Sequence, residues 1–130
     1  MKSLILLAAL LFAVTLSSSI PMTSKASPAG KKRAVMQFAD PVVLMGVTLK
    51  GEYLFVHDDD AMARGETCTF VYKGNAPIAS KLVVSFHCVP QQRTKVGSFT
   101  VRMMDVGGVT QLREYQFEGD TEAHVVPDGK

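Results

Sequence analysis

The segment from Thr67 to Pro90 constrains this chain more than any other, because it contains both of its cysteines. Two β-rich stretches, residues 67–73 and 81–89, flank the turn-forming sequence Gly74-Asn75-Ala76-Pro77. The pattern predicts a β-hairpin with one cysteine near the outer end of each strand.

The apolar residues of this hairpin favour one register. In that register Cys68 lies opposite Cys88. The same register pairs Phe70 with Phe86 and gives one strand face that carries only apolar side chains. Because side chains alternate between the two faces of a strand, a shift by one residue would exchange the faces. The sequence therefore predicts that this apolar face lies in the core.

A disulfide between Cys68 and Cys88 is the expected state of the two sulfurs. Residues directly opposite each other on antiparallel strands are close enough to be bridged. Two cysteines in an exported chain also favour a single disulfide. Two free thiols, or a pair of metal ligands, are the alternatives.

The first residues are typical of an export signal. A positive start at Met1-Lys2 precedes the apolar run Leu4–Leu16, and small residues follow. We predict a signal peptide over residues 1–26, cleaved after Ala26. The apolar run is shorter than the roughly 20 residues that cross a bilayer, so we expect membrane contact only during export. The protein is expected to be secreted or periplasmic.

The charge balance of the mature chain argues against a nucleic-acid partner. Removal of residues 1–26 removes Lys2 and Lys25, which leaves basic and acidic residues in equal number. A neutral domain has no electrostatic attraction for a phosphate backbone. The basic run Lys31-Lys32-Arg33 falls at the end of a predicted flexible lead-in, residues 27–33.

The remaining chain, residues 34–130, is predicted to form a single all-β domain. Strands are expected at Ala34–Phe38 and Glu52–His57, with a break at Asp40-Pro41 and a turn at Lys50-Gly51. A loop or a single helical turn is expected over residues 61–66.

A second hairpin is expected from Ser98–Asp105 and Val109–Glu118, with Arg102 opposite Glu114. No apolar pattern at helical spacing follows the signal. The fold class is therefore a small antiparallel β-sandwich or barrel of about 6–8 strands.

One cluster of residues suggests a metal site. His57 is followed by three aspartates, and Asp58, Asp60 and the more distant His87 supply further donors. Carboxylates bind hard divalent cations, and histidine suits copper or zinc. The alternative is a solvated strand end that discourages edge pairing. No other cofactor is predicted.

No catalytic residues are predicted. The chain has no phosphate-binding loop, zinc-protease helix, nucleophile elbow or C-x-x-C sequence. His87 is expected on the outer face of the central hairpin, because neighbouring strand residues point to opposite faces and His87 precedes Cys88. His124 is expected in the tail, in a short edge strand at His124-Val125-Val126, without an ordered partner.

The stretch Val47–Phe55, VTLKGEYLF, resembles a segment of small, largely uncharacterised exported bacterial β-proteins. Lys50-Gly51-Glu52-Tyr53 stands where those proteins carry a turn that contains proline. The resemblance implies a β-barrel or β-sandwich outside the cytoplasm, and it implies no catalytic residues.

These observations favour a disulfide-stapled binding or interaction domain without enzymatic activity. Its partner would be a protein or a small ligand. The partner would be bound by the loops at residues 57–66 and 90–97, or by an exposed sheet face. A metal-binding protein that uses the His57–Asp60 segment is the first alternative, and a small hydrolase is the second.

Overall fold

The computed structural model describes residues 30–128 and shows a protein built almost entirely of β-strands. The predicted signal peptide lies outside the described residues. The eight strands are β1 (Lys31–Leu44), β2 (Val47–Asp58), β3 (Thr69–Lys73), β4 (Leu82–Phe86), β5 (Val89–Gln92), β6 (Thr100–Val106), β7 (Val109–Gln116) and β8 (Glu122–Val125). One short helix, α1 (Asp59–Ala63), follows β2, and a single 3₁₀ turn (Ala79–Lys81) precedes β4.

The strands form one curled sheet that resembles half a barrel. Its order is β4-β3-β2-β1-β7-β8-β5, with β6 paired to the free side of β7. Most neighbours are antiparallel, but β1 and β7 run parallel where Val43 meets Gln111. The all-β prediction is thus confirmed. The finer prediction of an antiparallel sandwich or barrel is corrected to a single mixed sheet, because β1 pairs in parallel with β7, which follows it in the chain after five intervening strands.

Strand β1 is longer than the sequence predicts. It begins at Lys31, so the end of the predicted lead-in belongs to the sheet. It also continues through Pro41, because a register shift between Phe38 and Val42 accommodates the missing N–H. The chain turns at Met45-Gly46, where both residues have positive φ angles of 49° and 80°. The turn predicted at Lys50-Gly51 is therefore wrong, and these residues lie inside β2.

Aromatic side chains fill the concave side of the sheet. Phe55 is fully buried, and its ring centre lies 5.4 Å from that of Phe99 and 5.5 Å from that of Tyr115. Phe38 and Phe117 extend the cluster on either side. Tilted contacts at these distances are favourable for aromatic rings beyond their buried area. The candidate site described below packs against this aromatic cluster.

The central hairpin forms, but its predicted register is wrong by one residue. Thr69 pairs with Phe86 and Val71 with Val84, so Phe70 lies opposite Ser85 instead of Phe86. The slip exchanges the faces of β3. Thr69 and Val71 are fully buried in the concave side, whereas Phe70 is half-buried on the convex side. The buried Thr69 hydroxyl is satisfied by the phenol of Tyr115, which explains why a polar residue is tolerated there.

The second hairpin has the predicted register. Arg102 pairs with Glu114 and Val101 with Tyr115 across β6 and β7. A Gly107-Gly108 turn with φ angles of 58° and 82° joins the strands, a combination that glycine adopts without strain.

Glu114 joins this hairpin to the segment after β5. Its carboxylate accepts two hydrogen bonds from Arg93, at 3.1 and 2.8 Å, and one from Arg102 at 2.6 Å. Only 7% of Glu114 is exposed, so this carboxylate is buried with its arginine partners. The hydrogen bonds from Arg93, followed by its charge and that of Arg102, lower the pKa of Glu114 despite burial.

Within residues 30–128, no helix is both long enough and apolar enough to cross a bilayer.

Candidate metal centre

Four segments that are distant in sequence meet at one end of the concave face. His57 lies at the end of β2, and Cys68 lies in the loop before β3. Cys88 lies in the two-residue link between β4 and β5, and His124 lies in β8. Strands β4 and β5 are the two ends of the sheet path, so the link that carries Cys88 must cross the open side of the curled sheet. The curl therefore brings Cys88 against both histidines.

Cys88 is at the centre of this group. Its sulfur lies 3.3 Å from Nε2 of His57 and 3.5 Å from Nδ1 of His124. One donor atom from each of the three residues lies within 4.8 Å of the other two. We call His57, Cys88 and His124 the N₂S cluster. Two imidazoles and one thiol at this spacing are a donor set for a transition metal.

The cluster is closed to solvent. His57 and Cys88 are 0% exposed and His124 is 1% exposed. The centres of the two imidazole rings lie 3.9 Å apart with their planes tilted by 32°, and Tyr115 stacks on His124 at 5.0 Å between ring centres. Rings held in this way cannot turn freely, so their nitrogens keep fixed directions.

A carboxylate orients His57. Its Nδ1 lies 2.7 Å from Oδ1 of Asp59, the first residue of α1. Because a carboxylate only accepts, Nδ1 carries the proton and donates it, which leaves the lone pair of Nε2 directed at Cys88. A histidine fixed by a carboxylate on one nitrogen, with the other nitrogen free, is the usual arrangement of a metal ligand.

His124 carries an unsatisfied nitrogen. Its Nε2 is buried and has no hydrogen-bond partner among residues 30–128. A buried polar atom without a partner costs about 1–3 kcal/mol, so such atoms occur mainly where another requirement keeps them. The nitrogen of this ring that faces Cys88 is Nδ1, so an ion bound there would leave Nε2 without a partner.

Burial keeps all three side chains neutral. Desolvation lowers the pKa of His57 although Asp59 opposes the shift, and it lowers the pKa of His124 to about 3. Desolvation, followed by the hydrogen bond with Cys68, raises the pKa of Cys88 to about 12. A neutral imidazole can bind a cation directly, whereas the thiol of Cys88 must first release its proton.

The predicted disulfide is not present. Cys68 and Cys88 are free thiols whose sulfurs lie 3.2 Å apart, well beyond the roughly 2.05 Å of a bond between them. The one-residue slip of the hairpin explains the difference, since it removes Cys68 from the position directly opposite Cys88. Cys68 instead accepts a hydrogen bond from the backbone N–H of Cys88 at 3.3 Å.

The sequence proposed one histidine and aspartate set for a metal, and of that set only His57 lies in the N₂S cluster. Cys88, which the sequence offered as a metal ligand only as an alternative to the disulfide, lies there too. Asp58 caps α1 by accepting a hydrogen bond from the N–H of Ala61 at 3.1 Å. Asp60 is exposed on the first turn of that helix. His87 is exposed, and its Nδ1 donates to the carbonyl oxygen of Glu66 at 2.8 Å.

His124 is the ligand that sequence reasoning missed. It was expected in a short edge strand of the tail, without an ordered partner. The strand forms, but it lies between β7 and β5, where His124 pairs with Tyr115 and Pro90. The apolar residues on both sides of it, Ala123 and Val125-Val126, were the available signal. They favour a buried strand, and a histidine in such a strand requires a partner.

A cavity also lies on the convex face of the sheet. A cavity of about 320 Å³ lies over β1–β3, where Phe70 and Tyr72 adjoin Lys31 and Arg33. Val35, nearby on the same face, is 45% exposed. Binding through an exposed sheet face, or through the loops at residues 57–66 and 90–97, stays a prediction.

Comparison with protein families, with curated proteins and with solved structures finds no match to this chain.

Proposed function

We propose that this protein binds a transition-metal ion through His57, Cys88 and His124. The observation that carries the proposal is the convergence of three buried donor atoms, all within 4.8 Å of one another, from three separate segments. Burial of two histidines and a cysteine in an apolar core is unfavourable, because each side chain loses hydrogen bonds to water that the protein only partly replaces. A bound ion would provide that compensation.

The proposal is a specific form of the non-catalytic binding role predicted from the sequence. A metal enclosed by protein ligands, without an open position for water, has a structural or storage role rather than a catalytic one. Export from the cytoplasm stays a prediction, because residues 1–26 lie outside the described part of the chain.

Metal titration of matched variants tests the proposal. We expect calorimetry to show one Zn(II) or Cu(I) ion per chain of the wild-type protein. Cys88→Ser and His124→Phe should each weaken binding by more than about a hundredfold, since even outer residues of metal sites contribute 10- to 100-fold. Phe keeps the stacking on Tyr115, so this variant preserves the packing.

Asp60→Asn and His87→Ala are the controls, because they alter the metal-binding residues proposed from the sequence and leave the N₂S cluster intact. Their affinity should equal that of the wild type. Loss of binding in these two variants, with full binding by Cys88→Ser, would refute the N₂S site in favour of the sequence-based one.

A further inference from the structure

The N₂S cluster also indicates which ion it holds. We infer that His57, Cys88 and His124 bind monovalent copper with trigonal coordination, and that Cys68 supports Cys88 without being a ligand. This inference rests on the proposed function and adds to it the identity of the ion and the role of the second thiol.

The spacing of the donors supports three-coordinate binding. Metal–nitrogen and metal–sulfur bonds of about 2.0 and 2.3 Å place trigonal donors roughly 3.5–3.7 Å apart. The sulfur of Cys88 lies 3.3 and 3.5 Å from the two histidine nitrogens, so small adjustments would admit an ion. Within residues 30–128, no carboxylate belongs to this donor group. Calcium and magnesium bind oxygen ligands, so the group does not suit either ion.

Cys68 lies to one side of this group. Its sulfur is 3.2 Å from that of Cys88, and it accepts the backbone N–H of Cys88 at 3.3 Å. It does not belong to the set of donors that lie within 4.8 Å of one another. From this position its S–H can donate to the sulfur of Cys88 once that sulfur has lost its proton. In the ion-free protein the contact between the two thiols favours the protonated form of Cys88. Only after an ion has displaced that proton can the S–H of Cys68 donate in the opposite direction and stabilise the thiolate.

The number of ligands separates copper from zinc. Cu⁺ is a soft ion that three donors can hold, and its binding would release one proton from the thiol of Cys88. Zn²⁺ enclosed by protein almost always takes four ligands. Because the site is closed to water, the fourth ligand for zinc would have to be Cys68, after it had lost its own proton.

The number of protons released and the effect of Cys68→Ser therefore distinguish the two ions. Cu(I) would be supplied anaerobically with bathocuproine disulfonate as the competing chelator, and Zn(II) with a chromophoric zinc chelator. Calorimetry in buffers of different ionisation enthalpy counts the protons. We expect one Cu(I) and one released proton per chain.

Cys68→Ser should retain Cu(I) binding to within about tenfold of wild type, since serine still donates a hydrogen bond and effects from outside the ligand shell are modest. Cys88→Ser and Cys88→Ala should both lose it, with circular dichroism confirming that each variant is folded.

Release of two protons on Zn(II) binding, with Zn(II) lost in Cys68→Ser, would overturn the trigonal copper site and leave the proposed metal-binding function in place. Absence of binding of either ion to the folded wild type would overturn both.

Discussion

Saturation with Cu(I) under anaerobic conditions is expected to raise the melting temperature of the wild-type protein by about 15–30 °C. An ion at a thousandfold excess over its dissociation constant adds about 4 kcal/mol to the free energy of unfolding. For a domain of about 100 residues, each kcal/mol shifts the melting temperature by roughly 4–8 °C. The effect should be large because the ion would join the end of β2, strand β8 and the β4–β5 link.

Differential scanning calorimetry with and without Cu(I) measures this shift. Cys88→Ser and His124→Phe are the matched variants, and their melting temperatures should not respond to the ion. His87→Ala should respond as the wild type does, because His87 is exposed. An equal shift in Cys88→Ser, or a fall in the wild type, would contradict the assignment of Cys88 as a ligand.

Replacement of Glu114 by glutamine should lower the free energy of unfolding by about 2 kcal/mol at neutral pH. The carboxylate is buried and accepts three hydrogen bonds from Arg93 and Arg102, whereas an amide accepts through one oxygen only. Urea unfolding of the two proteins measures the difference. Glu118→Gln is the control, since Glu118 is exposed two residues after β7 ends.

The stability contributed by Glu114 should depend on pH. Arg93 holds the pKa of Glu114 below its ordinary value of 4.5 in the folded protein. The folded state therefore favours the ionised form, and this stability is fully present above the unfolded-state pKa. It is lost as the pH falls through the lower folded-state pKa. Wild type and Glu114→Gln should thus converge in acid, and a constant difference down to pH 3 would show that the ion pairs contribute nothing.

The second hairpin was predictable because its signals are local. Gly107-Gly108 permits one tight turn, and the charged pair Arg102–Glu114 fixes the register around it. No contact between residues far apart in sequence was needed to specify which residues face each other.

The register of the central hairpin could not be predicted from local signals. Its alternation of aromatic and polar residues favours Phe70 in the core, but the structure buries Thr69 instead. The reason is tertiary, because Tyr115, far along the chain, supplies the hydrogen bond that the Thr69 hydroxyl needs. A bulge between Val71 and Tyr72 shifts the register further. Reasoning from the hairpin alone could detect neither.

The site was predicted only in part for a similar reason. His57 was recognised as a donor, but its partners were sought in the neighbouring aspartates and in His87, which is exposed. Cys88 and His124 come together only because β1 meets β7 in parallel and the sheet curls until β5 lies beside β8. Such a topology depends on long-range pairings that a local pattern does not encode.

X-ray absorption at the copper edge of the Cu(I)-loaded protein tests the N₂S cluster most directly, because it measures the ligands themselves. The account predicts one sulfur at about 2.2–2.3 Å and two nitrogens at about 2.0 Å. Loss of the sulfur shell in Cys88→Ser should accompany the loss of binding. A spectrum with only oxygen or nitrogen neighbours would contradict the site proposed here.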